Sequence, residues 1–202
     1  MSDVMGGMGS QKVVNFSKVW NLPNILTYGR IVAVPLVAGL LMWDTNTARW
    51  IALAIYVAAA ITDFFDGYLA RKWQQQSSLG RMLDPIADKV LVAVVLLVLS
   101  ASPILYGGHM WAAIIILSRE VLVSGLREYL GELQVSVPVT KIAKWKTTVQ
   151  LVAIGFLIAG PAGDKIIPYL TEFGLGLLWI AAGLTLYTGY DYFRAGIRHV
   201  VD

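Results

Sequence analysis

The sequence predicts an all-α integral membrane protein with six transmembrane helices and a short N-terminal amphipathic helix. Of its 202 residues, 57% are hydrophobic and 14% are charged, and the mean hydropathy is +0.65. A soluble domain is nearer roughly 45–50% apolar and 25% charged. Apolar stretches of roughly 20 residues, the length that crosses a bilayer core, recur along the chain. The connections are short and no repeat is visible, so we expect one domain over residues 1–202.

The element order follows from where the apolar periodicity begins and ends. Residues 10–20 mix basic and apolar side chains, as a helix lying on a membrane surface does, with a disordered tail as the alternative. We then predict membrane helices, with boundaries good to a few residues, at about 23–42, 49–71, 80–101, 109–130, 146–161 and 170–193. Tryptophans near the ends of these segments match the aromatic belts of a bilayer.

The distribution of basic residues predicts the orientation. With both termini in the cytoplasm, every lysine and arginine except Arg49 and Lys165 falls on or toward the cytoplasmic side, as the positive-inside rule requires. The net charge of +3 is modest, and its charges border apolar helices, so we expect no nucleic-acid partner. The absence of cysteine excludes disulfides, thiol catalysis and Cys-ligated zinc.

Four aspartates lie within 26 residues at the junction of the second and third predicted helices. Asp63 and Asp66 are three residues apart, Asp84 and Asp88 are four apart, and each pair therefore shares one helix face. A short turn near Gln75 makes the two helices antiparallel, and counting outward from it brings the pairs level. We expect the four carboxylates to converge in the cytoplasmic leaflet, with the deeper pair roughly 12 Å inside.

Carboxylates in hydrocarbon are costly unless a cation compensates them. We expect no other positive charge close to these four, so hard divalent cations with oxygen ligands fit best. Two such ions about 3.5–4 Å apart would clamp a phosphoryl group. Gly67 permits close backbone approach, and Arg71 is placed for phosphate. The alternative is that the aspartates are solvated loop residues or structural ion pairs.

The run from Asp63 to Asp88 resembles the signature of a known family. It matches the CDP-alcohol phosphotransferase pattern Asp-x2-Asp-Gly-x2-Ala-Arg-x8-Gly-x3-Asp-x3-Asp at every fixed position. The resemblance implies six membrane helices, a homodimer and two divalent ions, Mg²⁺ or Mn²⁺. It also implies a reaction in which an alcohol displaces CMP from a CDP-linked lipid, at the cytoplasmic face of a bacterial plasma membrane.

The resemblance assigns roles to individual positions. It implies that the metal ligands are Asp63, Asp66, Asp84 and Asp88, of which Asp88 also acts as general base. It implies that CDP is bound at Asp63, Gly67, Ala70, Arg71 and Gly80.

The start of the first helix is similar to one branch of this family, in which glycerol 3-phosphate is the acceptor. Asn24, Thr27 and Arg30 recur at helical spacing, so they face one way and are candidates to contact the nucleotide or a metal-bound phosphate. The alternatives are a helix cap for Asn24, a backbone bond for Thr27, and an Arg30 that snorkels to the interface.

The fourth to sixth helices carry the cations expected to bind the acceptor phosphate. Arg119 lies well inside its span and could bind a phosphate bidentately, whereas Glu120 and Arg127 could equally form a structural ion pair. Lys144 and Lys146 follow Ala143, which replaces the glycine usual in this branch, and Arg194 lies at the cytoplasmic mouth. Headgroup binding is the alternative for Lys144, Lys146 and Arg194.

The expected reaction is transfer of the phosphatidyl group of CDP-diacylglycerol to sn-glycerol 3-phosphate. Inositol phosphate, serine or a phosphatidylglycerol are alternative acceptors, because the aspartate signature does not distinguish among them. A cation transporter is a different class of explanation. It is disfavoured because transporter sites lie near the midplane, often between internal repeats. A non-catalytic membrane scaffold fits less well still.

Overall fold

The computed structural model describes residues 22–73, 78–135 and 141–197, which form helices and short connections with no strand among them. The six predicted helices are present, and a 3₁₀ turn, Gly107–His109, precedes the fourth. The α-helices are α1 Leu22–Trp43, α2 Asn46–Trp73, α3 Ser78–Ser100, α4 Met110–Glu132, α5 Lys141–Asp164 and α6 Leu170–Ile197. The predicted surface helix at 10–20 lies outside the described residues.

Within the described residues, four segments are long and apolar enough to cross a membrane. They are Asn24–Trp43, Gly107–Glu132, Trp145–Asp164 and Leu170–Ile197. The helices outside this set, α2 and α3, are the two that carry the aspartates, and each is described only in part. The all-helical, multi-span prediction is therefore confirmed, and the count of six spans stays a prediction.

The helix ends differ from their predicted positions most clearly in α5. This helix begins at Lys141 and continues to Asp164, whereas its apolar segment suggested 146–161. Backbone hydrogen bonding continues past the apolar stretch into polar residues, so apolar content underestimates helix length. The predicted end coincides with a kink, where Gly160 adopts φ 44° and ψ −132° before Pro161. Glycine tolerates this φ, and proline cannot donate the hydrogen bond that would continue the helix.

The bundle places α1 against both aspartate-bearing helices. α1 contacts α2 and α3, α5 contacts α2 and α6, and α4 contacts α6 and α3. The apolar core between them is filled by branched side chains and alanines, including Val37, Ala52, Leu96, Ile116, Ile154, Leu157, Leu178 and Ala181. Small residues let membrane helices approach closely. The polar residues buried within this bundle therefore stand out as the candidates for function.

A buried arginine connects two parts of the chain at the end of the bundle opposite the aspartates. Arg49 is 3% exposed, and its Nε and Nη2 donate to Asp44 Oδ1 at 2.7 and 2.5 Å. Its Nη1 donates to the carbonyl of Ile158 at 3.2 Å, beside the kink in α5. A side chain at Gly160 would place Cβ 2.8 Å from Arg49 Nη1. The turn between α1 and α2 is thus bound to α5.

We predict that Arg49→Met lowers the free energy of unfolding by about 2 kcal/mol, because hydrogen bonds of a charged donor are lost in a buried place. The measurement is the unfolding midpoint of the detergent-purified protein. Lys165→Met, an exposed cation at the same end, is the matched control and should leave the midpoint unchanged. Equal midpoints for both variants would contradict this role for Arg49.

Candidate functional site

One face of α1 is polar and fully inside the bundle. Asn24, Thr27 and Arg30 are all buried, and their spacing of three residues puts them on one side of the helix. The prediction that they face one way is therefore confirmed. The snorkelling alternative for Arg30 is wrong, because its side chain is 1% exposed and points inward to two carboxylates.

The Arg30 guanidinium joins the two aspartate-bearing helices. Its Nη1 donates to Asp63 Oδ1 of α2 at 2.6 Å and to Asp88 Oδ1 of α3 at 2.7 Å. Because both oxygens bond to one nitrogen, the two carboxylates converge on a single point. The expectation that no other positive charge lies close to the aspartates is wrong, because Arg30 on α1 supplies one.

The other members of the aspartate signature are described only in part. The backbones of Asp66, Gly67, Ala70 and Arg71 belong to α2, and those of Gly80 and Asp84 to α3. Gly80 is buried. The side chains of Asp66, Ala70, Arg71 and Asp84 lie outside the described part of the chain, so convergence of all four carboxylates stays a prediction.

The described pair of aspartates suits a hard divalent cation. Among the side chains that the structure describes, no three His, Asp or Glu residues form a metal cluster. Asp63 and Asp88 nevertheless bring carboxylate oxygens from two helices to one cationic partner, and their side chains are 42% and 47% exposed. Convergent, accessible carboxylate oxygens are the donors that Mg²⁺, Mn²⁺ and Ca²⁺ prefer. The residues present therefore fit part of a divalent-metal ligand set.

A second charged cluster joins α4, α5 and α6. Arg119 Nη2 donates to Thr188 Oγ1 at 3.2 Å, and its Nη1 lies 3.5 Å from Glu120 Oε1. Lys146, which is buried, donates to the same Glu120 oxygen. The predicted acceptor-phosphate residues Arg119 and Lys146 are thus brought together. Glu120 binds both, so an anion already lies between two cations.

The remaining predicted acceptor residues are not part of this cluster as described. The side chain of Lys144 lies outside the described residues, as does that of Ala143. Arg194 is exposed in the last turn of α6. The guanidinium of Arg127 lies 5.5 Å from the centre of the Tyr192 ring, in cation–π range. The ion pairs described for Glu120 are with Arg119 and Lys146, rather than with Arg127.

The close approach of Arg119 to α6 depends on Gly189, which sequence reasoning missed. A Cβ at this position would lie 2.9 Å from Arg119 Cγ and 3.1 Å from its Nε. Because Gly189 has no side chain, Arg119 can pack directly against α6 and reach Thr188. Nothing in the sequence distinguishes Gly189 from Gly183 of the same helix, where a Cβ would meet no atom within 4 Å.

A hydrogen bond connects the region of the carboxylates with that of the cations. Lys89, the residue after Asp88, donates to Ser124 Oγ of α4 at 2.5 Å. Ser124 lies four residues after Glu120, so the two share a face of α4 at roughly 6 Å along the axis. The two charged clusters are therefore neighbours within the bundle, and not separate sites at opposite ends.

An apolar groove of about 620 Å³ runs between α2 and α5. It is lined by Trp50, Leu53, Tyr56, Val57, Ala60, Ile61, Leu151, Val152, Gly155, Phe156, Ala159, Ile167 and Leu170. The Tyr56 hydroxyl in its wall donates to the carbonyl of Leu151 at 3.3 Å. Along the described part of α2 the lining reaches Ile61, two residues before Asp63. This groove was not predicted from the sequence.

Comparison with known proteins identifies the family. The family model for CDP-alcohol phosphatidyltransferase matches residues 20–187, a range that contains the charged residues of both clusters. The chain belongs to the CDP-alcohol phosphatidyltransferase family. Members of this family generally use divalent metal ions, and the several apolar helices agree with a multi-pass membrane protein.

Three relatives in bacteria and a plant carry names that state a reaction. A CDP-diacylglycerol–glycerol-3-phosphate 3-phosphatidyltransferase of Rickettsia bellii is 48% identical over 87% of this chain and 94% of its own length. Its namesake in Cereibacter sphaeroides is 41% identical over 91% and 98%. In Arabidopsis thaliana, a phosphatidyltransferase of the same name, numbered 2, is 38% identical over 88% and 80%.

We predict that Gly189→Ala destabilises this CDP-alcohol phosphatidyltransferase by about 1–3 kcal/mol, because the added methyl overlaps Arg119 in a packed interior. The measurement is the unfolding midpoint in detergent. Gly183→Ala on the same helix is the matched control. It should leave the midpoint unchanged or raise it slightly, since alanine favours helix. A neutral Gly189→Ala would contradict the close packing of Arg119 against α6.

Proposed function

We propose that the protein transfers the phosphatidyl group of CDP-diacylglycerol to sn-glycerol 3-phosphate, which yields phosphatidylglycerophosphate and CMP. The observation that carries this proposal is the similarity to relatives named for that reaction, at 41–48% identity over 87–91% of this chain. The paired charged clusters support it. A transferase of this kind needs one place for a diphosphate and another for a phosphorylated alcohol, and the two clusters are neighbours.

The donor half of the proposed site is the aspartate cluster. Two divalent ions, Mg²⁺ or Mn²⁺, would be held by Asp63, Asp66, Asp84 and Asp88, and would neutralise charge on the diphosphate. The convergence of Asp63 and Asp88 on one cation supports this ligand set. For the nucleotide and its phosphates we propose contacts with Asn24, Thr27, Gly67, Ala70, Arg71 and Gly80.

The acceptor half of the proposed site is the cationic cluster. Arg119 and Lys146 would bind the phosphate of glycerol 3-phosphate, because a guanidinium and an ammonium together match a dianion. Lys144 and Arg194 are proposed as further contacts. The phosphate would take over hydrogen bonds that Glu120 now receives. This exchange gives the anionic acceptor a specific advantage over a neutral alcohol.

The proposed chemistry is a single displacement at phosphorus. Asp88 takes the proton of the glycerol 1-hydroxyl as that oxygen forms a bond to the β-phosphorus of the donor. The bond from this phosphorus to the bridging oxygen breaks, and CMP leaves with that oxygen. Much of the rate enhancement would come from positioning and from fixed charge close to the phosphates. The contact of Lys89 with Ser124 supports a short path between acceptor and base.

The apolar groove supports a place for the lipid part of the donor. We propose that an acyl chain of CDP-diacylglycerol lies between α2 and α5, where the lining is apolar and reaches Ile61, near Asp63. Within the bilayer an apolar chain is already out of water, so this lining would bind it through close packing of apolar surfaces. The groove would therefore anchor the lipid while its diphosphate reaches the aspartates.

The proposed setting is the plasma membrane of a bacterium, with the active site facing the cytoplasm. In this arrangement α2 and α3 also cross the membrane, which gives six spans within one domain over residues 1–202. The asymmetric distribution of lysine and arginine supports the orientation. We further propose a homodimer, as the family resemblance implies.

The experiment that tests the proposed function is an acceptor comparison with purified protein. CDP-diacylglycerol and Mg²⁺ or Mn²⁺ are supplied with one alcohol at a time, and CMP is measured. Glycerol 3-phosphate should release CMP, whereas inositol phosphate, serine and phosphatidylglycerol should not. Release with another acceptor alone would replace the proposed substrate. Ion flux in vesicles without CMP release would favour the transporter explanation.

We predict that Asp88→Asn lowers kcat by at least about 100-fold, because an amide cannot accept the hydroxyl proton. The measurement is CMP release under saturating substrates, with size-exclusion chromatography to check folding. Glu172→Gln, an exposed carboxylate-to-amide change in the first turn of α6, is the matched control and should keep full activity. Turnover of Asp88→Asn near that of the control would remove the assigned base.

We predict that Val57→Trp, which fills the groove, raises the KM for CDP-diacylglycerol about tenfold or more, since the indole would occupy the space of the acyl chain and remove its packing contacts. The KM for glycerol 3-phosphate should not change. Val121→Trp places the same bulk at an exposed position on α4 and is the control. Equal donor KM values for the two variants would show that the chain does not bind in this groove.

A further inference from the structure

Arg30 contacts both described aspartates from the interior of the bundle. Its side chain is 1% exposed, whereas the Asp63 and Asp88 side chains are 42% and 47% exposed. The guanidinium therefore approaches the carboxylates from the protein side and leaves a large part of each accessible from the other. One nitrogen, Nη1, contacts Oδ1 of both, at 2.6 and 2.7 Å.

This arrangement fixes the spacing of the two carboxylates. Each carboxylate has two oxygens and about four lone-pair sites, so a hydrogen bond to Oδ1 is compatible with binding of a cation by the same group. The guanidinium is planar and stays charged, which makes it a rigid partner for carboxylates. Outer hydrogen bonds of this kind orient metal ligands and tune metal affinity.

We propose that Arg30 is a positioning residue that holds Asp63 and Asp88 in place for divalent-metal binding. This inference rests on the metal site of the proposed function. Withdrawal of Arg30 on metal binding is the competing arrangement, and it would break the hydrogen bonds of a buried cation to Asp63 and Asp88, which is costly. Arg30 therefore stays bound to the carboxylates when the metal arrives, and its loss weakens metal binding.

The test measures Mn²⁺ binding to the full-length detergent-purified protein by electron paramagnetic resonance, in which bound Mn²⁺ loses the signal of the free aqueous ion. Arg30→Met should raise the half-saturating Mn²⁺ concentration about tenfold or more. Arg49→Met removes an equally buried arginine at the far end of the bundle, and should leave this concentration unchanged. Arg30→Lys keeps a positive charge and should recover part of the affinity.

The half-saturating Mn²⁺ concentrations of the variants distinguish positioning by Arg30 from competition between Arg30 and the metal. Half-saturation of Arg30→Met at the wild-type concentration, or at a lower one, would overturn the positioning role, and the lower value would indicate competition instead. If Arg30→Met does not fold, Arg30→Lys decides, because its single amine should still weaken binding about threefold, and unchanged affinity overturns the proposal. If the wild-type protein and both Arg30 variants all bind no Mn²⁺, the metal site itself is contradicted.

Discussion

The fold depends on compensating negative charge that is carried into an apolar bundle. Asp63 and Asp88 lie on helices that apolar neighbours surround, and carboxylates in such a place require a cationic partner. Arg30 meets this requirement from the neighbouring helix α1, through two short hydrogen bonds that one of its nitrogens donates. The same contacts place α1 between α2 and α3. The same hydrogen bonds therefore compensate the charge and connect α1 to α2 and α3.

The second cluster follows the same rule with the signs reversed. Arg119 and Lys146 are cations inside the bundle, and Glu120 on α4 is the anion between them. The protein thus partly neutralises each cluster. At the aspartates, the proposed divalent ions would add to the positive charge of Arg30. At the cations, the proposed phosphate would replace the negative charge of Glu120. A diphosphate with divalent ions suits the aspartates, and a phosphorylated alcohol suits the cations. The proximity of the two through Lys89 and Ser124 suits transfer between them.

The sequence predicted the six helices and both sets of charged residues because these depend on local patterns. Apolar length defines a membrane helix, and spacings of three and four residues define a helix face. It did not predict the partner of the aspartates, because Arg30 lies 33 residues before Asp63 and only the packing of α1 brings them together. Gly189 was missed for a similar reason, since its importance arises from Arg119 on another helix. The groove between α2 and α5 likewise depends on tertiary packing.

The central claim is that Asp63 and Asp88 bind divalent ions while Arg30 holds the two carboxylates in place from the interior of the bundle. Anomalous diffraction from crystals grown with Mn²⁺ tests it most directly, because the ion identifies itself at its absorption edge. The account predicts anomalous peaks at coordination distance from both carboxylates, with Arg30 Nη1 still hydrogen-bonded to each. Peaks only elsewhere in the protein, or an Arg30 withdrawn from both aspartates when the ion is bound, would contradict it.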